Sequence, residues 1–312
     1  MSGTPEPSPE VSLVMPVWSP ERAWLREAVA SALGQEACEL ELVLVDDGCD
    51  PPVANLLDGL EDRRIRILRV PHGGASRARN AGLAHARGQF VRFVDADDVL
   101  VRDSTAHLLG IARSSGRVIA YGATAVCSAD LKRIGTITTG FQGQAAAACL
   151  LNRFATTIHS LLFPRSLLDE IGQWDPSLVV SEDWDYALRA FERAEVRGDG
   201  RVATLYRTHE RMTSTNVLEG IRGYRLVVER YFQRHPDERG GRLERRALAG
   251  YHVFAAVQYA TRLRDWRKAL GHLARAFARD PLATAGSLAR TTATAAAGAA
   301  TGLLRRARGE SG

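Results

Sequence analysis

Five carboxylates follow two apolar stretches of the sequence at the points where those stretches end. The run LELVLV is followed by Asp46 and Asp47, and the run FVRFV is followed by Asp95, Asp97 and Asp98. Carboxylates grouped this closely repel one another, and burying them without a partner costs free energy. The second group therefore favours a divalent cation nearby, although a lone D-x-D sequence is more often an acidic turn in solvent.

Alternating strands and helices are predicted to bring these carboxylates together. The strands predicted over 11–17, 40–45, 64–70 and 90–94 are rich in β-branched and other apolar residues, and helical segments separate them. This alternation predicts a parallel sheet with right-handed crossovers. Ligands bind beyond the carboxyl ends of such strands, so both acidic groups are expected at one edge of the sheet.

The sequence after the fourth predicted strand indicates a region with both strands and helices, followed by a region of helices alone. Residues 196–207 are interpreted as a hairpin that turns at the sequence G-D-G. We expect a disordered leader over 1–10, an α/β domain over 11–215 and a helical C-terminal extension over 216–312.

Composition, charge and cysteine spacing indicate the class of protein to which the chain belongs. The chain has 312 residues, 45% of them hydrophobic, which is enough for a sizeable core. Its net charge is +5, but the basic residues are almost all arginine, a bias typical of genome composition, so no nucleic-acid partner is predicted. The four cysteines show no C-x-x-C spacing, and the sequence has no secretory leader and no apolar run of eighteen residues. These features predict a cytoplasmic protein with reduced thiols.

Five ordered blocks resemble the inverting glycosyltransferases of family 2, which have the GT-A fold. They are VSLVMPVW, LVLVDDG, ARNAGLAHARGQFVRFVDADD, SEDWDYALR and YRTHERMTS, and they extend over about residues 11–215. The resemblance implies a GT-A domain with a mostly parallel sheet flanked by helices. It also implies metal-dependent transfer of a sugar from a nucleotide diphosphate donor to a hydroxyl acceptor, with Mg²⁺ or Mn²⁺ as the cation.

The resemblance assigns the metal and the donor nucleotide to particular residues. It implies that Asp97 contacts the metal, that Asp95 contacts the metal or the ribose, and that His209 approaches the metal or the diphosphate. Arg79 and Asn80 follow a glycine-rich loop at a helix start, where they could approach an anion; alternatively, Asn80 fixes the helix to the strand ends. The expected donor nucleotide site comprises Pro16, Val17, Trp18, Asp47, Arg79, Asn80 and Asp95.

Asp183 is the predicted general base. An inverting transfer needs one carboxylate opposite the leaving diphosphate to accept the proton of the acceptor hydroxyl, and the family places it at the second acid of the E-D pair. The alternative for Asp183 is an acid that stabilises the first turn of a helix. Weaker resemblances assign contacts with the acceptor or donor sugar to Trp174, Asp175, Glu182 and His159.

Two other functions are compatible with the same residues. A nucleotidyltransferase would form a sugar nucleotide, and a binding or assembly protein would hold nucleotide without turnover. The preferred partners are a nucleotide diphosphate sugar and a glycan, lipid-linked or small-molecule acceptor, with polysaccharide or cell-envelope glycan synthesis as the expected role. For the helical extension, packing on the catalytic domain, homodimer formation and peripheral contact with the inner face of the membrane all stay open.

Overall fold

The protein is described by a computed structural model over residues 8–114, 117–138, 140–210, 212 and 216–289. The chain divides into two compact units. The first comprises Met1–Ala146 and Phe154–His209, and the second comprises Ala147–Arg153 and Glu210–Gly312. Most of the predicted leader lies outside the described residues, and the domain limits given above stay predictions.

A nine-stranded sheet flanked by helices forms the first unit. Its strands are β1 (Val11–Val17), β2 (Leu40–Asp47), β3 (Ile65–Val70), β4 (Phe90–Phe93), β5 (Val99–Leu100), β6 (Val118–Cys127), β7 (Arg133–Ile137), β8 (Leu161–Pro164) and β9 (Glu195–Arg207). The helices are α1 (Arg22–Leu33), α2 (Val53–Leu56), α3 (Ala75–His85), α4 (Ser104–Arg113), α5 (Ala146–Leu150), α6 (Arg165–Ile171) and α7 (Glu182–Phe191). Helix α5 begins in the first unit and continues in the second.

The strand order is β3-β2-β1-β4-β8-β6-β9-β5, with β7 paired to β6. Strands β3, β2, β1 and β4 are parallel, whereas β8 runs antiparallel to both β4 and β6. Because the four parallel strands end at the same edge, the loops that follow β2 and β4 meet there. The predicted α/β class with a largely parallel sheet is confirmed.

Helices cover both faces of the parallel strands. Leu42 and Leu44 of β2 belong to the core on one face, while the intervening Val43 packs with Ala78 of α3 on the other. Helix α3 approaches the sheet closely at Gly82, where an added Cβ would lie 2.4 Å from a methyl carbon of Val14. This close approach sets the position of the residues that α3 brings to the sheet edge.

The hairpin predicted over 196–207 is wrong, because β9 is one continuous strand. Gly198 pairs with Tyr121 and Val202 pairs with Ala123, so both halves of β9 run beside β6 in the same direction. Gly200 has a φ of +78° and produces a bulge with a register shift. A G-D-G sequence permits a reversal, but here continued pairing with β6 keeps the strand extended.

The second unit is helical, as predicted for the C-terminal region. It contains α8 (Val217–Arg234), α9 (Arg242–Thr261) and α10 (Trp266–Arg279), and residues 281–289 are also helical. The Asn216 side chain accepts a hydrogen bond from the Glu219 amide at the start of α8, and Asp265 does the same for Lys268 at α10. None of the described helices has the length and apolar character that a membrane crossing requires.

Candidate active site

The D-x-D loop lies directly after β4, as the sequence predicts. Asp98 is fully buried, and its Oδ1 atom accepts a hydrogen bond of 2.9 Å from the backbone amide of Arg207 on β9. Asp95 and Asp97 stay partly exposed, at 30% and 37% of their side-chain surface. The buried carboxylate therefore fixes the loop to β9, while the other two face accessible space.

Asp95, Asp98 and His159 form a compact cluster at this loop. His159 Nδ1 lies 3.0 Å from Asp98 Oδ2 and 3.5 Å from Asp95 Oδ2. One ligand atom from each of these three residues lies within 4.8 Å of the others. Among the described residues, neither ring nitrogen of His159 has a well-directed hydrogen bond, and neither does Asp98 Oδ2. Two carboxylates and an imidazole with unsatisfied atoms are a suitable ligand set for a divalent cation.

Burial and mutual charge shift the protonation of this cluster. Burial raises the pKa of Asp98 to about 8, and the neighbouring charges of Asp95 and Asp97 contribute to the increase. Burial lowers the pKa of His159, but the carboxylates of Asp98 and Asp95 outweigh it, so that pKa is raised. For Asp95, burial is outweighed by Arg79 and His159, and its pKa is lowered. Asp95 therefore carries a negative charge.

The residues predicted to hold the metal are divided between two adjacent groups. Asp97 Oδ2 lies 2.8 Å from His209 Nε2, and the ring of Trp24 packs against His209 at 4.7 Å. Asp95 instead belongs with Asp98 and His159. The resemblance had assigned His159 to a sugar contact and not to the metal. Only the fold brings His159 to the D-x-D loop, and no local pattern around residue 159 indicates this contact.

Arg79 connects the D-x-D loop to the E-D pair. It is buried, and its two terminal nitrogens lie 2.8 Å from Asp95 Oδ1 and 3.1 Å from Glu182 Oε1. Burial lowers the pKa of Arg79, but Asp95 and Glu182 outweigh it and raise that pKa. Burial raises the pKa of Glu182 to about 7, and Asp183 adds to this increase. This bridge fixes the D-x-D loop and the E-D pair relative to each other.

Asp183 and Asp185, both in the first turn of α7, differ in their surroundings. Asp185 is buried and forms an ion pair of 2.9 Å with Arg189. Asp183 is only partly buried, and its Oδ1 accepts a hydrogen bond from the Trp184 amide. Ser181 does not cap the helix with its side chain; it adopts a left-handed conformation with φ of +73°. Of these two acids, Asp183 is the one that stays partly exposed and has no ion pair with Arg189.

At the end of β2, Asp47 organises a loop next to an exposed aromatic pair. Its carboxylate accepts hydrogen bonds from the amides of Gly73 and Gly74 and lies 2.9 Å from His72 Nδ1. The His72 ring stacks on Trp18, with centroids 4.7 Å apart, and Trp18 is 60% exposed. Trp18 thus offers a free ring face, while the hydrogen-bonding capacity of Asp47 is already largely used.

Two other predicted site residues, Asn80 and Trp174, contact each other next to Arg79. Asn80 forms two hydrogen bonds with the backbone of Trp174, at 2.8 and 3.0 Å. Trp174 is buried, stacks on Tyr186 at 4.0 Å and lies under the Arg79 guanidinium. The Trp174 ring therefore packs in the core and exposes almost no surface.

The last three predicted residues are Pro16 and Val17, at the end of β1, and Asp175. Val17 is fully buried at the end of β1, and Pro16 beside it is partly buried. Asp175 accepts a hydrogen bond from the Ser177 amide and so helps to form a turn. Pro16 and Val17 directly precede Trp18 in the chain.

Comparison with known proteins identifies the family. Residues 12–172, slightly more than half of the chain, match the model described as glycosyl transferase family 2. The chain belongs to glycosyl transferase family 2. It is therefore a glycosyltransferase.

Named relatives agree with this family. An uncharacterized glycosyltransferase of Haemophilus influenzae is 30% identical over 134 residues, which are 42% of this chain and 53% of the relative. The succinoglycan biosynthesis protein ExoW of Rhizobium meliloti is 37% identical over 113 residues, 35% of this chain and 34% of the relative. These alignments thus cover about half and about a third of the two relatives.

Among solved structures, S. aureus TarS 1-349 in complex with UDP-GlcNAc is similar over 87% of this chain and 92% of that one. The TM-score is 0.58 and the sequence identity is 15%. The complex of the same TarS fragment with UDP gives a TM-score of 0.62 at 15% identity, over 87% of this chain and 81% of that one. At this identity the likeness shows the fold, and it confirms the predicted GT-A class.

Proposed function

We propose that this glycosyltransferase moves a sugar from a nucleoside diphosphate to a hydroxyl group, with inversion and with Mg²⁺ or Mn²⁺. The observation that carries the proposal is the chain of contacts from the D-x-D loop through Arg79 to Glu182, next to Asp183. It joins a candidate cation site to a candidate proton acceptor in one rigid arrangement. Both are needed for an in-line displacement from a diphosphate leaving group.

The donor is proposed to be a nucleoside diphosphate sugar held at the sheet edge. The complex of TarS with UDP-GlcNAc supports this class of donor, so uridine diphosphate is the first nucleotide to test. The exposed face of Trp18 could stack with a nucleobase. Asp47 positions the loop next to that ring through the amides of Gly73 and Gly74.

Two sets of residues fit the cation. Asp97 with Asp95 and His209 is the set implied by the resemblance, and Asp95 with Asp98 and His159 is the set with unsatisfied buried atoms. A divalent cation bound here would neutralise charge on the leaving diphosphate. Arg79 keeps Asp95 ionised in either case.

The proposed chemical step ends with a proton on Asp183. The acceptor oxygen forms a bond to the anomeric carbon as the bond from that carbon to the diphosphate oxygen breaks. The hydroxyl proton passes to the Asp183 carboxylate, and the electron pair of the broken bond leaves with the diphosphate. The name of the ExoW relative supports a glycan acceptor in polysaccharide synthesis. Assignment to the cytoplasm stays a prediction.

A thermal-shift panel of nucleoside diphosphates, each with and without Mn²⁺ or Mg²⁺, tests the donor site. A ligand that binds only the folded protein raises the melting temperature, and at one hundred times its dissociation constant it adds about 2.7 kcal/mol. We expect the largest cation-dependent increase with uridine diphosphate. If no nucleotide shifts the melting temperature of well-folded protein, the proposed donor site is wrong.

Replacement of Asp183 tests the proposed base. Asp183→Asn should lower sugar transfer by about a hundredfold or more, because a general base contributes 10²–10⁴-fold. Nucleotide binding should be unchanged, since the donor contacts lie elsewhere. Asp169→Asn is the matched control, because Asp169 is an exposed acid that pairs with Arg165. Full transfer activity in Asp183→Asn would exclude this base.

A further inference from the structure

The second unit contains a cavity of about 520 Å³ that the candidate active-site residues do not line. Helices α8, α9 and α10 each turn one side toward it, because its lining residues recur every three or four positions. The cationic and imidazole side chains in the lining are Arg225, Arg275, Arg279, His252 and His272. Groups of this kind from three helices converge on one space.

The two glutamates that line the cavity form an ion pair or a hydrogen bond, whereas two of its arginines form neither with the described residues. Glu229 pairs with Arg225 at 2.7 Å, and Glu244 accepts a hydrogen bond from the Gly240 amide. Within the described part of the chain, Arg275 and Arg279 form no ion pair or hydrogen bond. The lining thus carries three arginines against two glutamates, and Arg275 and Arg279 lie one helical turn apart.

The two histidines form a neutral pair beside these arginines. His252 Nδ1 lies 3.0 Å from His272 Nδ1, so one ring must donate the proton that the other accepts. Burial lowers the pKa of His252 to about 4, with contributions from His272 and the arginines, and burial also lowers the pKa of His272. The pair can therefore gain a proton when a negative group enters and offsets the arginines.

We propose that this cavity binds a phosphate group through Arg275, Arg279 and the histidine pair. Guanidinium groups make bidentate, charge-assisted hydrogen bonds with phosphate oxygens, and an imidazole pair adds donors that strengthen on protonation. The cavity volume accommodates a phosphate monoester or diester.

Helix α10 also has an exposed apolar side. Trp266 and Leu270 are each 64% exposed and Phe277 is also exposed, whereas the small Ala269 and Ala276 are buried. At about 100° of rotation per residue, the three exposed side chains lie roughly opposite the side of α10 that lines the cavity. A lipid phosphate and free phosphate offer the cavity the same chemistry, and the two sources can be separated experimentally.

Histidine NMR spectra during titration with inorganic phosphate test the cavity directly. Phosphate should shift the His252 and His272 resonances and raise the pKa of His252. The double variant Arg275→Gln, Arg279→Gln should bind phosphate at least about tenfold more weakly, because two charge-assisted contacts are removed. Arg267→Gln, on the same helix but outside the cavity lining, should bind as the unmodified protein does. If the double variant does not fold, each single variant provides the same comparison.

Sedimentation with vesicles identifies the source of the phosphate. If a lipid supplies the phosphate, vesicles of phosphatidylcholine with phosphatidic acid should bind the protein, vesicles of phosphatidylcholine alone should not, and the double variant should lose binding. Phosphate titration that depends on Arg275 and Arg279, without vesicle binding, would support the cavity and assign it to free phosphate. No binding of either probe, or binding unaffected by the double variant, would overturn the proposal. Neither experiment measures sugar transfer, so the result does not depend on the proposed function.

Discussion

Arg92 shows how one residue can organise a site without touching a ligand. It is fully buried in β4, and burial lowers its pKa to about 9. All five of its N–H groups have neutral acceptors, which are oxygens of His159, Ser104, Thr105, Ala203 and Thr204. Because one acceptor is the backbone of His159, Arg92 fixes the segment that carries the imidazole of the cation cluster.

Replacing Arg92 should therefore destabilise the fold strongly. Arg92→Met removes the donor to the hydroxyls of Ser104, Thr105 and Thr204, and each unsatisfied group costs about 1–3 kcal/mol, whereas the His159 and Ala203 carbonyls keep a second donor. We expect the free energy of unfolding to fall by about 3 kcal/mol or more, measured by urea denaturation. Arg102→Met, at an exposed ion pair with Glu36, should change it by less than about 1 kcal/mol. Equal effects of the two replacements would contradict this account.

The contrast between Asp95 and His159 shows which site residues a sequence reveals. Asp95, Asp97 and Asp98 follow an apolar strand, so local pattern alone places them at the sheet edge. His159 reaches the same point only through β8, which pairs with β4 across more than sixty residues of chain. Arg92 likewise interrupts an apolar run, and its burial depends on acceptors from distant segments. Local sequence thus predicts the acids but not the partners that tertiary structure supplies.

At the scale of an element, the packing of α3 controls the position of Arg79. The helix lies against β1 and β2 where Gly82 has no side chain, so Val14 and Val45 occupy the space that a Cβ would fill. The sequence correctly predicts α3, because its start follows a glycine-rich loop. The close approach at Gly82 could not be predicted, since a glycine within a helical pattern has several explanations.

Gly82→Ala should move α3 away from the sheet. Overpacking a tight contact costs about 1–3 kcal/mol, which exceeds the gain of about 1 kcal/mol in helix propensity. The melting temperature should fall, and sugar transfer should fall with it because Arg79 is displaced. Gly110→Ala is the matched control in α4, where no atom lies within 4 Å of the added carbon, and it should be neutral or stabilising. A stabilised Gly82→Ala protein would show that the helix can adjust.

At the scale of the whole molecule, the pH dependence of stability should report on the second unit. In the unfolded chain His252 has an ordinary pKa near 6.5, whereas in the folded protein it is about 4. Between these values the unfolded state binds more protons, so acidification favours unfolding. The contribution of neutral His252 is complete above about pH 6.5 and is lost as the pH falls toward 4.

Thermal unfolding of the unmodified protein and of His252→Gln tests this dependence. Between about pH 7.5 and pH 5 the free energy of unfolding of the unmodified protein should fall by up to about 2 kcal/mol more than that of the variant, because the variant lacks the titrating group. His85→Gln, which removes an exposed histidine, should retain the full pH dependence. Parallel losses in all three proteins would assign the dependence to other groups.

The segment Ala147–Arg153 belongs to the second unit although it lies within the sequence of the first. The backbone therefore passes between the units three times, and no single cut can yield both in full. A fragment that ends at His209 still contains the segment Ala147–Arg153 of the second unit. A fragment that starts at Glu210 lacks that segment and its buried residues Cys149 and Leu150. Genetic exchange of the C-terminal region by a single crossover would not transfer the segment Ala147–Arg153. The two units should therefore be inherited together.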